Sequence, residues 1–328
     1  MSSNASHVSS ADNGHVSSAD NGHFVAPVRS EQVVVDAVRL GDKKSNLWLD
    51  AWRDLRKRPL FWLSVLMCLA IVITSLWPSL FTSVPPAGPG ACDLANSNGG
   101  PASGHPLGYT FQGCDVWSRL VYGTRVSLAV GLMATIIGTV IGVIMGALAA
   151  FYGGWLDSLL SRVGDVFFTI PYIVAAIVVM TVLKDYRNEF VLALAIGGFA
   201  WSSTARIVRA EVLRVKQADF VMASIALGVS RFKTLVVHVL PNALAPVIVV
   251  ATIGLGQAIV AEATLSFLGV GLGGVSWGAD ISQAQTSIRT SPMALFWPSL
   301  ALTLTVLAFV TLGELLRDAL DPKSRAQR

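Results

Sequence analysis

Charge is scarce in this sequence: Asp, Glu, Lys and Arg make up 13% of its 328 residues, about half the share usual in a soluble domain. So little charge cannot solvate a globule that is 53% hydrophobic, which argues against an ordinary water-soluble protein. A Gly-x-x-x-x-Gly-Lys-Ser/Thr loop is absent, so the chain holds no nucleotide phosphates by that route. His-Glu-x-x-His is absent too, a Gly-x-Ser-x-Gly elbow is not expected, and the five histidines are scattered. A catalytic site, a metal site and a bound cofactor are therefore not expected in this chain. Cysteine is limited to three residues, and the net charge of +4 is too mild to point to nucleic acid.

What is present is long apolar blocks. About 20 apolar residues suffice to cross the hydrocarbon core as a helix, and the blocks fall at about 60–82, 126–152, 163–183, 190–207, 243–267 and 293–314. In lipid every backbone polar group must be satisfied within the protein, and these lengths suit helices rather than barrel strands. The expected class is all-α, a polytopic membrane protein with six transmembrane helices. Ser202, Ser203, Thr204 and Arg206 crowd the end of the fourth span and make it the weakest.

Basic residues orient the chain. With six spans and both termini on the cytoplasmic side, nineteen Lys and Arg fall inside and five outside, as the positive-inside rule requires. The first 46 residues are rich in Ser, Asn, Asp and Gly and carry a tandem HVSSADNG repeat at His7 to Gly14 and His15 to Gly22. They have no signal-peptide pattern, and their composition reads as a disordered tail. From Asn46 to Pro59 the run NLWLDAWRDLRKRP puts Trp48, Leu49, Trp52 and Leu55 on one helical face, as an interfacial helix does.

Between the first two spans lies the longest outer loop, with Cys92 and Cys114; Cys68 falls inside the first span. On the outer side a disulfide can persist, and closing this loop adds roughly 3 kcal/mol in the chain-entropy model; two free thiols are the alternative. Ala134, Gly138, Gly142, Gly146 and Ala150 form a small-residue stripe on the second span, against which a helix of this chain or of another can pack. Glu262 lies near the outer end of the fifth span, with Gln257 before it. An ionised carboxylate at the bilayer centre costs about 2.5 kcal/mol or more, so Glu262 reads either as a pathway or gate residue or as polar glue between helices. Arg162 and Asp165 read as interface charges at the inner mouth of the third span. Pro171 in the third span and Pro298 in the sixth are candidate kinks, and Pro171 joins Gln257 and Glu262 as a candidate pathway residue.

The most informative stretch is Asp219 to Asn242, DFVMASIALGVSRFKTLVVHVLPN, a polar-studded insert between apolar spans. Ala223 and Ser224 give a thin helix face, Gly228 permits a sharp turn, Leu240 is biased to extended geometry by Pro241, and Pro241 suits a first helical turn. This spacing resembles the Glu-Ala-Ala motif of ABC-importer permeases, with Met222 in the glutamate position, Ala223 and Ser224 at the alanines, Gly228 at the glycine, His238 in the isoleucine position, and Leu240 and Pro241 matching. His105 to Leu128, Gly153 to Pro171, Ala205 to Leu213, Ala261 to Gly271 and Leu316 to Pro322 are similar to the C-type permeases of dipeptide, oligopeptide and nickel importers. In the outer segment Cys114 stands where relatives carry arginine, and Tyr109-Thr110 replaces Thr-Asp.

The resemblance implies the type I ABC-importer permease fold. Residues 1–46 would be the tail, 47–59 the interfacial helix, 60–82 the first span and 83–125 an extracytoplasmic loop. Residues 126–317 would be a permease core of five spans with a cytoplasmic coupling loop at 208–242, and 318–328 a cytoplasmic tail. It assigns Phe220, Val221, Met222, Ala223, Ser224, Leu227, Gly228, Arg231, Leu240 and Pro241 to a loop seated on an ATPase. The implied partners are a B-type sister permease, two ABC ATPase subunits that bind ATP and magnesium, an extracytoplasmic solute-binding protein and the lipid of a bacterial inner membrane. Dipeptides or oligopeptides are the implied solutes, with nickel or another small solute as the alternative. A secondary transporter, which needs ion sites at broken helices, or a membrane scaffold is the competing class.

Overall fold

A computed structural model describes residues 47–88 and 90–320. The expected disordered tail with its repeat lies outside the described residues, as does the C-terminal segment beyond Leu320.

The first helix, α1 (Leu47–Leu55), buries Ala51 and Leu55 and leaves Trp48, Leu49 and Trp52 exposed. Two residues of turn follow, and Pro59, with no N–H to lose, begins α2 (Pro59–Leu76). Then comes the loop of residues 77–115, in which Cys92 and Cys114 are joined by a disulfide. Gly113 lies in the left-handed region at φ 71°, and a Cβ there would meet the Asp93 carbonyl oxygen at 1.7 Å, so only glycine lets the two loop segments approach.

Helix α3 (Val116–Tyr152) begins ten residues before the expected span. Asp115 supplies the start signal, accepting from the Ser118 N–H at 2.8 Å. At 1.5 Å per residue its 37 residues span about 55 Å, well beyond a hydrocarbon core of about 30 Å. The expected outer loop to residue 125 is thus shorter, because its last ten residues are helical.

The third apolar block is not one straight helix. It forms α4 (Gly154–Thr169) and α5 (Tyr172–Val182), bent by 81°. Pro171 lacks an N–H and pushes Ile170 into extended geometry, φ −79° and ψ 121°, so the ladder stops there. By contrast α6 (Glu189–Lys216), capped by Asn188, continues nine residues past the expected end of the fourth span. Its polar end is sustained by partners on α4: Arg209 pairs with Asp157 and Arg206 with Asp165.

The insert holds α7 (Asp219–Ala226) and α8 (Arg231–Thr234), and a π-helical stretch Leu235–Val239 runs into α9 (Leu240–Phe267). Leu240 is helical at φ −58° and ψ −47°, not extended as its place before proline suggested. The wide turn relieves the clash that the Pro241 ring would make with the carbonyl four residues back. Asn242 Nδ2 donates to the His238 carbonyl oxygen at 2.7 Å and satisfies it. The chain ends with α10 (Trp277–Ala284) and α11 (Pro292–Leu320), which passes through Pro298 as one helix.

Among the described residues no strand occurs, and five helices are long and apolar enough to cross a membrane, or six if α4 and α5 form one broken span. The small-residue stripe packs within the chain, against α6. A Cβ on Gly146 would meet the Ala205 carbonyl oxygen at 2.4 Å, and one on Gly197 would meet that of Ala134 at 2.3 Å. On the opposite face of α3, Leu132, Ile136, Val140 and Ile144 are exposed, the surface that lipid requires.

Candidate functional site

Helical periodicity divides the insert into two faces. Val221, Ser224, Thr234, Leu235 and Val239 point inward, and the apolar ones pack on Ala147, Ala150, Phe151, Val208 and Val212 of α3 and α6. Ser224 Oγ lies 3.3 Å from Thr234 Oγ1 and ties α7 to α8. The thin face expected from Ala223 and Ser224 is therefore split: Ala223 is exposed, whereas Ser224 serves the internal packing. Outward stand Phe220, Met222, Leu227 (84% exposed) and Phe232 (65% exposed), with the exposed cation Arg231. Apolar side chains this exposed, on a polar-studded insert, make a surface suited to a partner. Phe232 was missed by sequence reasoning, and its place one residue into α8 is the signal that finds it.

Gly228 turns the chain between α7 and α8 at φ 80°. A Cβ there would meet no atom within 4 Å, so the requirement is for backbone conformation, not for space. Leu240 and Pro241 lie where the π-helical turn becomes α9, so the insert feeds into a span without a flexible break.

A cavity of about 480 Å³ lies between α3, α6, α9 and the α4–α5 break. Both Pro171 and Gln257 line it, with hydroxyls from Thr135, Ser203 and Thr204. Glu262 does not. Its side chain is fully buried, Ser127 Oγ donates to Oε2 at 2.6 Å, and Ser266 Oγ donates to Oε1 at 2.7 Å. Such a carboxyl joins α3 to α9, the polar-glue arrangement of the two that the sequence left open.

Helix α10 is fixed to α3 by two contacts: Trp277 Nε1 donates to the Leu120 carbonyl oxygen at 3.0 Å, and Arg119 Nε to Asp280 Oδ1 at 2.7 Å. Burial pushes the Asp280 carboxyl up to about 6 against the downward pull of Arg119. The residues Gly274-Val275-Ser276-Trp277-Gly278 carry the letters of Gly-x-Ser-x-Gly, contrary to the sequence expectation. They build no nucleophile elbow, because no strand precedes them, and Ser276 is a buried N-cap that accepts from the Ala279 N–H. Among the described residues no three His, Cys, Asp or Glu side chains gather as a metal site.

Residues 106–326 match the family described as the binding-protein-dependent transport system inner membrane component. The dipeptide transport system permease protein DppC of Alkalihalophilus pseudofirmus is 34% identical over 281 residues, covering 85% of this chain and 91% of that one. The glutathione transport system permease protein GsiD of Shigella boydii is 35% identical over 296 residues, covering 89% and 96%. A chain from a solved structure titled as inward-facing conformations of the MetNI methionine ABC transporter is 22% identical, with a TM-score of 0.49, covering 61% of this chain and 95% of that one.

Proposed function

As this chain belongs to the family of binding-protein-dependent transport system inner membrane components, we propose that it is a permease subunit of an ATP-driven importer of dipeptides or oligopeptides. It works beside a sister permease of the B type, and the two line the path between them. Two ATPase subunits bind ATP and magnesium, and an extracytoplasmic binding protein delivers the solute. The chain lies in the bacterial inner membrane with both termini cytoplasmic and performs no chemistry of its own.

The observation that carries this reading is the two-faced insert from Asp219 to Asn242. Its inner face is packed on α3 and α6, and its outer face presents Phe220, Met222, Leu227 and Phe232. A partner that seats on this ridge and closes displaces a unit joined directly to α9, and α9 forms one wall of the cavity. Such coupling needs a partner that binds the two states with different affinity, which nucleotide-dependent closure supplies. Hydroxyls and the Gln257 amide on the cavity wall suit a solute rich in peptide groups.

Purification of the tagged chain from its native membrane in mild detergent, followed by mass spectrometry, tests the assignment. A second six-span permease and ATPase subunits are expected to come with it. Recovery of the chain alone, with nucleotide present to stabilise a complex, would favour a self-contained carrier or a scaffold.

A further inference from the structure

Helix α4 is held in an unusual way. None of its sixteen residues is buried, and a cavity of about 280 Å³ lies beneath it, walled by Gly146, Ala149, Ser161, Gly164 and Ala205. Close packing therefore does not fix it to the core. Polar and aromatic contacts with α6 do. Arg209 grips the Asp157 carboxylate with both ends of its fork, Nε to Oδ1 at 2.6 Å and the terminal nitrogen to Oδ2 at 2.7 Å. One turn nearer the cavity, Arg206 pairs with Asp165 at 2.8 Å, and its guanidinium carbon lies 3.8 Å from the centre of the Phe168 ring. A forked arginine contact restricts direction as well as distance, so Arg209 fixes the helix in orientation and Arg206 adds a second point of attachment.

Both ends of α4 are built to bend. At the start Gly153 and Gly154 lie at φ 69° and 60° with open space around each, and at the end the ladder is broken at Ile170 and Pro171. Terminal residues of this kind absorb the backbone change when a rigid element moves. The far end also lines the larger cavity, to which Phe167, Phe168, Ile170 and Pro171 all contribute. Helix α6, which carries both arginines, continues to Lys216, with two residues between it and the insert, and Val208, Val212 and Val215 form the bed on which Val221, Leu235 and Val239 lie.

We infer that Arg206 and Arg209 clamp α4 to α6 and make it a lever, so that displacement of the insert by its partner moves the Ile170–Pro171 break in the cavity wall. Arg209 is the principal positioning residue because its contact is bidentate and less exposed. Arg206 contributes mainly through Phe168, since its exposed ion pair is worth little by itself. The inference rests on the proposed function.

The test uses the full importer complex in proteoliposomes with its binding protein and a labelled dipeptide, and reads dipeptide imported per ATP hydrolysed. Arg209→Gln is expected to keep ATP hydrolysis and lower that ratio at least about fivefold, the low end of coupling between sites. The exchanged pair Asp157→Arg with Arg209→Asp should recover most of the ratio. An unchanged ratio in Arg209→Gln overturns the lever, as does a smaller yield of complex whose ratio is normal, because that describes a role in folding alone. Should Arg209→Gln fail to assemble, Asp157→Asn, which keeps shape and volume, carries the same test. A wild-type complex that imports no dipeptide with ATP would instead refute the functional reading, before the clamp is in question.

Discussion

The hydroxyl of Ser127 on α3 donates to Glu262 Oε2 on α9 at 2.6 Å, across 135 residues of sequence. Ser266 donates to the other oxygen of the same carboxyl, so one buried side chain serves two hydroxyls. Glu262→Ala would leave those hydroxyls without their acceptor and open a void, costing about 3 kcal/mol. Thermal unfolding of the purified protein in detergent should show the loss, with Glu262→Gln much milder. Glu262→Ala unfolding like wild type would contradict the lock.

Arg119 and Asp280 form a second buried link, between α3 and α10, and its two partners are nearly inaccessible. Removing one leaves the other charge buried and unpaired, so Asp280→Ala is expected to cost about 3–5 kcal/mol. The double variant Arg119→Met with Asp280→Leu, which removes both charges, should be close to wild type. If the double variant were the more damaged of the two in thermal unfolding, the pair would be a net stabiliser.

The same carboxyl gives a pH dependence. Its value in the fold, about 6, stands above the ordinary 3.8, so the folded chain retains a proton that the unfolded chain releases at lower pH. The contribution of Asp280 is complete below about pH 4 and is lost as pH rises through about 6. Hydrogen exchange on α10, corrected for intrinsic rates, should show more protection at pH 5 than at pH 7.5; the reverse order would be inconsistent with this electrostatic account.

In the loop between α2 and α3, the Cys92–Cys114 bridge joins residues at a sequence separation of 22. The chain-entropy model gives such a bridge roughly 3 kcal/mol. Mass spectrometry without reductant should find the two peptides joined, and Cys92→Ser should lower the protection of the loop from proteolysis. Two free thiols in protein isolated without reductant would remove the bridge from the account.

At Gly228 the demand is conformational, since φ is 80° and space is open. Gly228→Val strains that turn by about 1–2 kcal/mol. It should weaken ATPase association or ATP-driven uptake while membrane insertion continues. Leu227→Asp, which places a charge on the most exposed apolar residue of the ridge, should weaken association more strongly. Normal association in both variants, measured by co-purification, would mean that the partner seats elsewhere.

Much of this was legible from periodicity and composition. Apolar blocks announce the spans, and the letters around Gly228 mark the insert. Pro171 marked a candidate kink, but the 81° size of the break between α4 and α5 was not legible, because apolar residues run on both sides of it and composition carries no angle. Nor could one see that Glu262 is met by Ser127, since only tertiary folding brings that hydroxyl to it. Leu240 shows local preference overridden: a proline follows it, yet the π-helical turn before it absorbs the clash and the helix continues. Likewise the glycine stripe of α3 declared a close neighbour without naming it, and the backbone of α6 supplies the answer.

Uptake of a labelled dipeptide into proteoliposomes holding the purified complex and its binding protein is the most direct test of the central claim. The account predicts accumulation against a gradient when the ATPase subunits have ATP and magnesium, and none when those subunits are omitted. Accumulation that follows an imposed ion gradient and persists without the ATPase subunits would contradict it.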